Sequence, residues 1–183
     1  MTDVLIVGGG PAGLSAALFT EKNGLDTVVY DTEETWMHKA HLFNYLGIDS
    51  MDGTEFIEAS REQVEAFGVD IHEAEVTGVE QDGDGFTVTT ADGEATAPYL
   101  VLATGADRSL AEELGCAYDG DVVDVNVSME TSVQDAYATG AMVRDQEWQA
   151  IISAGDGGAA ALDILSKEEG EHFHDFDTPA DAE

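Results

Sequence analysis

Basic residues are nearly missing from this chain. Lysine and arginine together number 6, against 39 aspartates and glutamates, for a formal net charge of −33. A surface this acidic repels nucleic acid and anionic membranes, so neither is expected as a partner. Cysteine is almost absent too. The single Cys116 excludes an intramolecular disulfide or a Cys-x-x-Cys redox pair within the chain. It is expected to serve as a small buried or half-buried apolar residue. No apolar run approaches the length of a membrane span. Met1-Thr2-Asp3 leads at once into an apolar strand without a signal peptide, which predicts a cytoplasmic protein.

What is present points to a folded domain. Hydrophobic residues make up 43% of the 183 positions, and the acids are spread along the chain rather than gathered in one tail. That length suits one domain with a single core. The self-repulsion of −33 charges is tolerable in molar salt, where the Debye length falls to ~3 Å. A halophilic, salt-rich cytosol is the expected setting.

The strongest motif stands near the start. Val4-Leu5-Ile6-Val7 runs into Gly8-Gly9-Gly10-Pro11-Ala12-Gly13, then into an alanine-rich stretch and a second apolar run closed by Asp31. Strand, Gly-x-Gly-x-x-Gly turn, helix, strand and acid form one dinucleotide-binding unit. Gly8 permits the tight turn, Gly10 lets a pyrophosphate approach the backbone, and Gly13 lets the helix pack closely. The helix N-terminus offers free N–H groups and a partial positive charge to phosphates. Asp31 is placed to accept from adenosine ribose hydroxyls. Its charge would repel a 2′-phosphate, which favours FAD or NAD over NADP.

Periodicity and turn residues predict a strand over 3–7, a helix over 11–23 and a strand over 26–31. The connection from Thr32 to Gly53 is polar yet carries Trp36, Met37, Leu42, Phe43, Tyr45 and Leu46, as a segment covering a ligand or another chain would. A helix over 54–67 is followed by strands near 69–72, 76–81 and 86–90, with turns at Asp82-Gly83-Asp84-Gly85 and Ala91-Asp92-Gly93. A buried strand over 98–103 returns to Thr104-Gly105. Residues 106–130 carry little periodic signal. A helix over 148–165 is expected to be interrupted around 154–158 by its glycines. From Lys167 the chain reads as an acidic, solvated tail in which His172 and His174 are surface features rather than metal ligands.

This order of motifs resembles the FAD domain of the thioredoxin reductase branch of the two-dinucleotide-domain flavoproteins. Asp3–Gly13 resembles the family's FAD pyrophosphate turn, with Asp31 at its ribose acid. Asn44-Tyr45-Leu46-Gly47 resembles its Asn-Tyr-Pro-Gly stretch near the flavin. Phe67-Gly68-Val69 and Val76 resemble its adenine-contacting segment, and Ala103-Thr104-Gly105 its Ala-Thr-Gly turn. Thr131-Ser132-Val133 through Gly140 resembles its Thr-Ser-Val…Gly-Asp segment. Gln149 and Ser153–Ala161 resemble the elements lying along the flavin. The resemblance implies an α/β fold: one Rossmann-like FAD-binding domain with a parallel sheet and a small antiparallel meander. The domain is expected over 1–167, in halves 1–105 and 131–167, with an acidic tail over 168–183.

Three departures accompany the resemblance. Relatives insert an NADPH domain, which needs about 100 residues or more, where only residues 106–130 stand here. Their redox cysteine pair is missing with it. The Gly-Asp that holds the flavin's ribityl chain is Gly140-Ala141. Loss of such a charge-assisted hydrogen bond weakens binding roughly ten- to a hundredfold, unless Asp135 or Asp145 compensates.

The resemblance thus implies FAD held by Gly8, Gly10, Pro11, Ala12, Gly13, Asp31, Asn44, Val76, Thr104, Gly105, Gly140, Ala141 and Gln149. The helix starting near Gln149 would aim its positive end at the flavin. The expected function is a minimal oxidoreductase without its own NADPH domain or disulfide, fed by a small-molecule donor or a separate redox partner. A homodimer would cover the face left by the missing domain. The alternative is a non-catalytic regulatory or accessory module binding FAD or NAD. Catalytic residues are not identified; His38 and His41 are the nearest candidates for acid–base work.

Overall fold

A computed structural model describes residues 1–83 and 85–178. Asp84 of the expected 82–85 turn and residues 179–183 of the expected tail lie outside the described residues. Strand β1 (Val4–Val7) enters helix α1 (Pro11–Lys22), followed by β2 (Thr27–Asp31). The connection expected to be irregular holds a short 3₁₀ helix, Trp36–Lys39, and a two-residue hairpin of β3 (His41–Leu42) and β4 (Met51–Asp52). Helix α2 (Gly53–Phe67) follows, capped at its start by the Asp52 carboxylate, which accepts from the Thr54 N–H, and ended by Gly68 at φ +119°.

Strand β5 (Asp70–Glu73) leads to a meander of β6 (Val76–Asp82), β7 (Gly85–Thr90) and β8 (Gly93–Ala97). Strand β9 (Tyr99–Leu102) then returns to the main sheet. Residues 106–130, which gave little periodic signal, hold a one-turn helix α3 (Ser109–Glu113) and a hairpin of β10 (Tyr118–Asp119) and β11 (Val122–Val123). Strand β12 (Ala136–Ala138), a 3₁₀ turn over Gly140–Val143 and helix α4 (Ala150–Glu169) complete the regular structure of the described residues.

The main sheet has the order β12-β9-β1-β2-β5 and is parallel throughout. Both faces are covered, so its strands read as continuous apolar runs rather than alternating ones. Alternate side chains of β1 serve two cores. Val4 and Ile6 pack with Val29, Val101 and Tyr137 beneath α1, α2 and α4. Leu5 and Val7 pack with Leu100 and Leu102 against Val79, Phe86 and Val88 of the meander. Among the described residues, no helix is long and apolar enough to cross a membrane.

Two expectations need correction. Helix α4 is not interrupted at residues 154–158; it runs unbroken from Ala150 to Glu169. Gly157 and Gly158 face α1, while Gly155 has open space around it. A Cβ on Gly157 would lie 2.0 Å from the Ala12 carbonyl oxygen, so glycine lets α4 cross α1 at backbone contact. The loss in helix propensity is offset by that approach. The tail expected from Lys167 also begins only after Gly170, and although mostly exposed it is tied back to the domain. Lys22 of α1 donates to Asp175 Oδ1 at 2.7 Å and also to Asp177, while the Phe173 N–H donates to Ser166 Oγ at 3.0 Å.

Candidate functional site

The C-terminal ends of β1, β2, β9 and β12 open into a cleft of about 760 Å³. This is where ligands bind in open parallel sheets. Its floor is the Gly8–Ala12 turn, one wall is Asp31 with Ala74–Val76, and the other is Ala103–Asp107 with Gly140 and Ala141.

The four glycines of the turn separate into two kinds. A Cβ on Gly8 would lie 2.3 Å from the Ala103 oxygen, on Gly9 2.4 Å from the Asp31 carboxylate, and on Gly13 1.8 Å from the Gly8 oxygen. These three are required by the fold itself. Gly8 further needs its φ of +112°. Gly10 is different: its conformation is one any residue adopts, with φ −82°, and a Cβ there would meet only Thr35 Oγ1 at 3.5 Å. Packing gives no reason for a glycine at 10. Its open side faces the cleft, as the approach of a ligand's phosphates to the backbone requires.

Gly10 is also the N-cap of α1, and no side chain caps the helix or places an acid in its first turn. Pro11 occupies the first helical position, where its missing N–H costs nothing. The positive end of α1 therefore points into the cleft with no side chain capping its first turn.

Asp31, buried at the end of β2, accepts the Gly9 N–H at 2.9 Å through Oδ1 and Arg61 Nη1 at 2.7 Å through Oδ2. Arg61 comes from α2 and also reaches Glu33 at 3.4 Å. Nothing local in the sequence points to Arg61, since its partner is an acid 30 residues earlier.

The second wall is tied together by one side chain. Arg108 donates from Nε to the Met142 oxygen and from Nη2 to the Ala141 oxygen, each at 2.8 Å. Thr104 Oγ1 donates to the Asp107 oxygen at 2.6 Å. The short segment after the Thr104-Gly105 turn is thereby clamped onto the second half of the domain. Asp107 faces the cleft, and the Ser109 backbone N–H holds its carboxyl below the usual range. Below α4's first turn, Arg144 pairs with the buried Asp156 at 2.5 Å.

Of the residues expected in the site, Gly8, Gly10, Pro11, Ala12, Asp31, Val76, Thr104, Gly105, Gly140 and Ala141 line the cleft. Gly13 lies behind the turn. Asn44 and Gln149 do not line it: Asn44 is exposed beyond β3, and Gln149 is the exposed N-cap of α4. His38 and His41 are exposed and bonded instead to Thr54 Oγ1 at 3.1 Å and Ser50 Oγ at 2.9 Å. Asp135 pairs with Lys167 at 2.8 Å, and neither it nor Asp145 reaches the cleft. The carboxylates that do line it are Asp31, Glu34, Glu75 and Asp107; among the described residues no lysine, arginine, histidine or cysteine lines it, and Arg61 pairs with Asp31 from behind the wall.

A family model described as pyridine nucleotide-disulphide oxidoreductase matches residues 2–46 and 44–158. The thioredoxin reductase of Treponema pallidum is 38% identical over 116 residues, covering 58% of this chain and 36% of that enzyme. That of Mycolicibacterium smegmatis is 30% identical over 162 residues, covering 86% of this chain and 49% of the enzyme. The chain thus spans about half or less of these curated relatives. Among solved structures, a thioredoxin reductase from Gloeobacter violaceus superposes with a TM-score of 0.86 at 22% identity, covering 96% of this chain and 98% of that one. The shared architecture is the parallel sheet of five strands with its antiparallel meander. By sequence and by fold, the chain belongs to the pyridine nucleotide-disulphide oxidoreductase family and is thioredoxin reductase-like within it.

Proposed function

We propose that this chain binds FAD in the β1–α1 cleft and works as a minimal flavoprotein oxidoreductase. The observation that carries the reading is Gly10, the one glycine of the turn whose absent side chain clears space in the cleft rather than in the fold. Bound there, FAD would supply the hydride and electron transfer, as flavins do. The chain's own residues bind and orient. The α1 N-terminus takes the pyrophosphate, Asp31 meets the adenosine ribose, and Val76 with Ala74 lines the adenosine end. The cleft offers no side-chain cation to the phosphates. Backbone N–H groups and the helix dipole carry that contact alone.

Residues 106–130 form a clamp, not a second dinucleotide domain, so electrons would come from a free pyridine nucleotide or a separate redox partner. The net charge of −33 suits a salt-rich cytosol. The second reading, a non-catalytic module binding FAD or NAD, is favoured by Ala141 and by the lack of histidine, cysteine, lysine or arginine on the cleft wall. Calorimetric titration with FAD, ADP and NAD in high salt tests the site. FAD binding tighter than ADP supports the flavoprotein reading; NAD binding without FAD binding overturns it.

A further inference from the structure

The chain has two tryptophans, and both stand on the lip of the same cleft. Trp36 opens the 3₁₀ turn after β2, and Trp148 precedes α4. These distant segments bring the two indoles to a centroid separation of 5.2 Å, with their planes tilted by 56°. They are 55% and 43% exposed, although tryptophan is ordinarily a well-buried residue. Two large apolar rings at the mouth of a ligand cleft thus leave about half of their own surface to water. They are placed for something that covers them.

Their anchoring differs. Trp148 Nε1 donates to the Arg144 oxygen at 3.1 Å, and Arg144 is in turn fixed by the buried Asp156. Trp36 sits beside Met37, the buried anchor of its turn, and among the described residues no hydrogen bond holds its indole. Trp148 is tethered through its indole N–H, whereas Trp36 is held by packing alone.

We propose that Trp36 and Trp148 form a two-leaved aromatic clamp that receives the planar ring end of the bound dinucleotide. This rests on the FAD reading and extends it to the ring. At their present separation the indoles contact each other, within the 4.5–7 Å range of aromatic pairs. A flat ring stacks on Trp148 once Trp36 swings aside, and Trp36 then closes over its other face or edge. Indole offers the largest π-face among side chains and accepts a ring without specific hydrogen bonds. The clamp therefore selects for a flat conjugated system and supplies holding energy on a cleft wall where position 141 offers only a methyl group.

The test uses the full chain in high salt, with the Trp36→Phe/Trp148→Phe and Trp36→Ala/Trp148→Ala variants. FAD and ADP affinities are measured by calorimetry, and the emission of bound flavin by fluorescence at saturation. ADP carries only the half of the ligand that ends at the pyrophosphate. Each stacked ring contact is worth roughly a ten- to hundredfold change in affinity. The alanine variant is therefore expected to lose FAD affinity on that scale while binding ADP as the parent does, which also shows that it folds. In the parent, bound flavin should be dark, since a stacked indole quenches it; in the phenylalanine variant it should regain emission with most of its affinity. Equal FAD affinity in parent and alanine variant, or bright bound flavin in the parent, overturns the clamp. Failure of the parent to bind FAD, with ADP still bound, overturns the FAD reading instead.

Discussion

Arg61 reaches from α2 to Oδ2 of Asp31 at 2.7 Å, while the Gly9 N–H holds Oδ1 of the same carboxylate at 2.9 Å. The acid expected to receive a ribose is thus also a strut between the glycine turn and α2. Removing Arg61 leaves Asp31 charged and buried with one partner fewer. Arg61→Met should lower unfolding free energy by about 1–3 kcal/mol, less than for a fully enclosed pair because the cleft admits water. Denaturant melts of the two proteins check this. Asp31→Asn should instead weaken FAD and ADP binding alike, since both carry the adenosine ribose.

The glycines predict a clean division of effects. Gly10→Ala should fold within about 1 kcal/mol of the parent, allowing for alanine's poorer N-cap preference, and lose dinucleotide binding. Gly157→Ala puts a Cβ 2.0 Å from the Ala12 oxygen. It should destabilise by about 2–3 kcal/mol or more through forced separation of α1 and α4. Thermal melts and ligand titrations on both variants separate the two outcomes.

Position 141 makes a gain-of-function prediction. Ala141 lines the cleft, and neither Asp135 nor Asp145 reaches it in compensation. Ala141→Asp should raise FAD affinity about ten- to a hundredfold by restoring a charged acceptor, with little change for ADP. Unchanged FAD affinity would show that the ribityl chain does not pass this residue.

Salt should act in an unusual direction. Most phosphate-binding sites weaken as salt rises, because cations on the protein hold the phosphates. Here four carboxylates and no side-chain cation line the cleft of a chain at −33. Raising KCl from about 0.1 M to about 1 M shortens the Debye length from about 10 Å to about 3 Å. Both FAD affinity and thermal stability should increase, as read by titration and melting at each concentration.

Alkaline pH should weaken the fold through buried tyrosine. Burial, then the bond its hydroxyl donates to Asp163 Oδ2 at 2.7 Å, pushes the Tyr137 pKa far above the usual 10.0. A group with a raised folded-state pKa contributes its full stability below the unfolded value and loses it above. Stability should therefore fall as pH passes about 10, where unfolded tyrosine ionises. Tyr137→Phe should be less stable at neutral pH and flatter across that window.

The residues legible in the sequence were those whose cause is local. The Gly8–Gly13 turn, its strand and helix, and the closing Asp31 follow from spacing alone, and the meander follows from alternation between turn residues. The α4 glycines misled because their reason lies on another helix: Gly157 answers to Ala12 of α1, a contact with no local trace. Arg61 and Arg108 were invisible for the same reason, being side chains whose partners are carbonyls or carboxylates far along the chain. Asn44 and Gln149 are implied by resemblance alone, and neither lines the cleft. Trp36 stood out as a large apolar residue in a loop. Only the fold brings Trp148 beside it.

In the proposed function, the β1–α1 cleft holds FAD in a form that can turn over. The most direct measurement is the visible spectrum of the protein, purified in high salt, incubated with excess FAD, desalted, and then given NADH without oxygen. The flavin absorption bands should stay with the protein, bleach under NADH and return on admission of air. A protein that emerges colourless after desalting contradicts it.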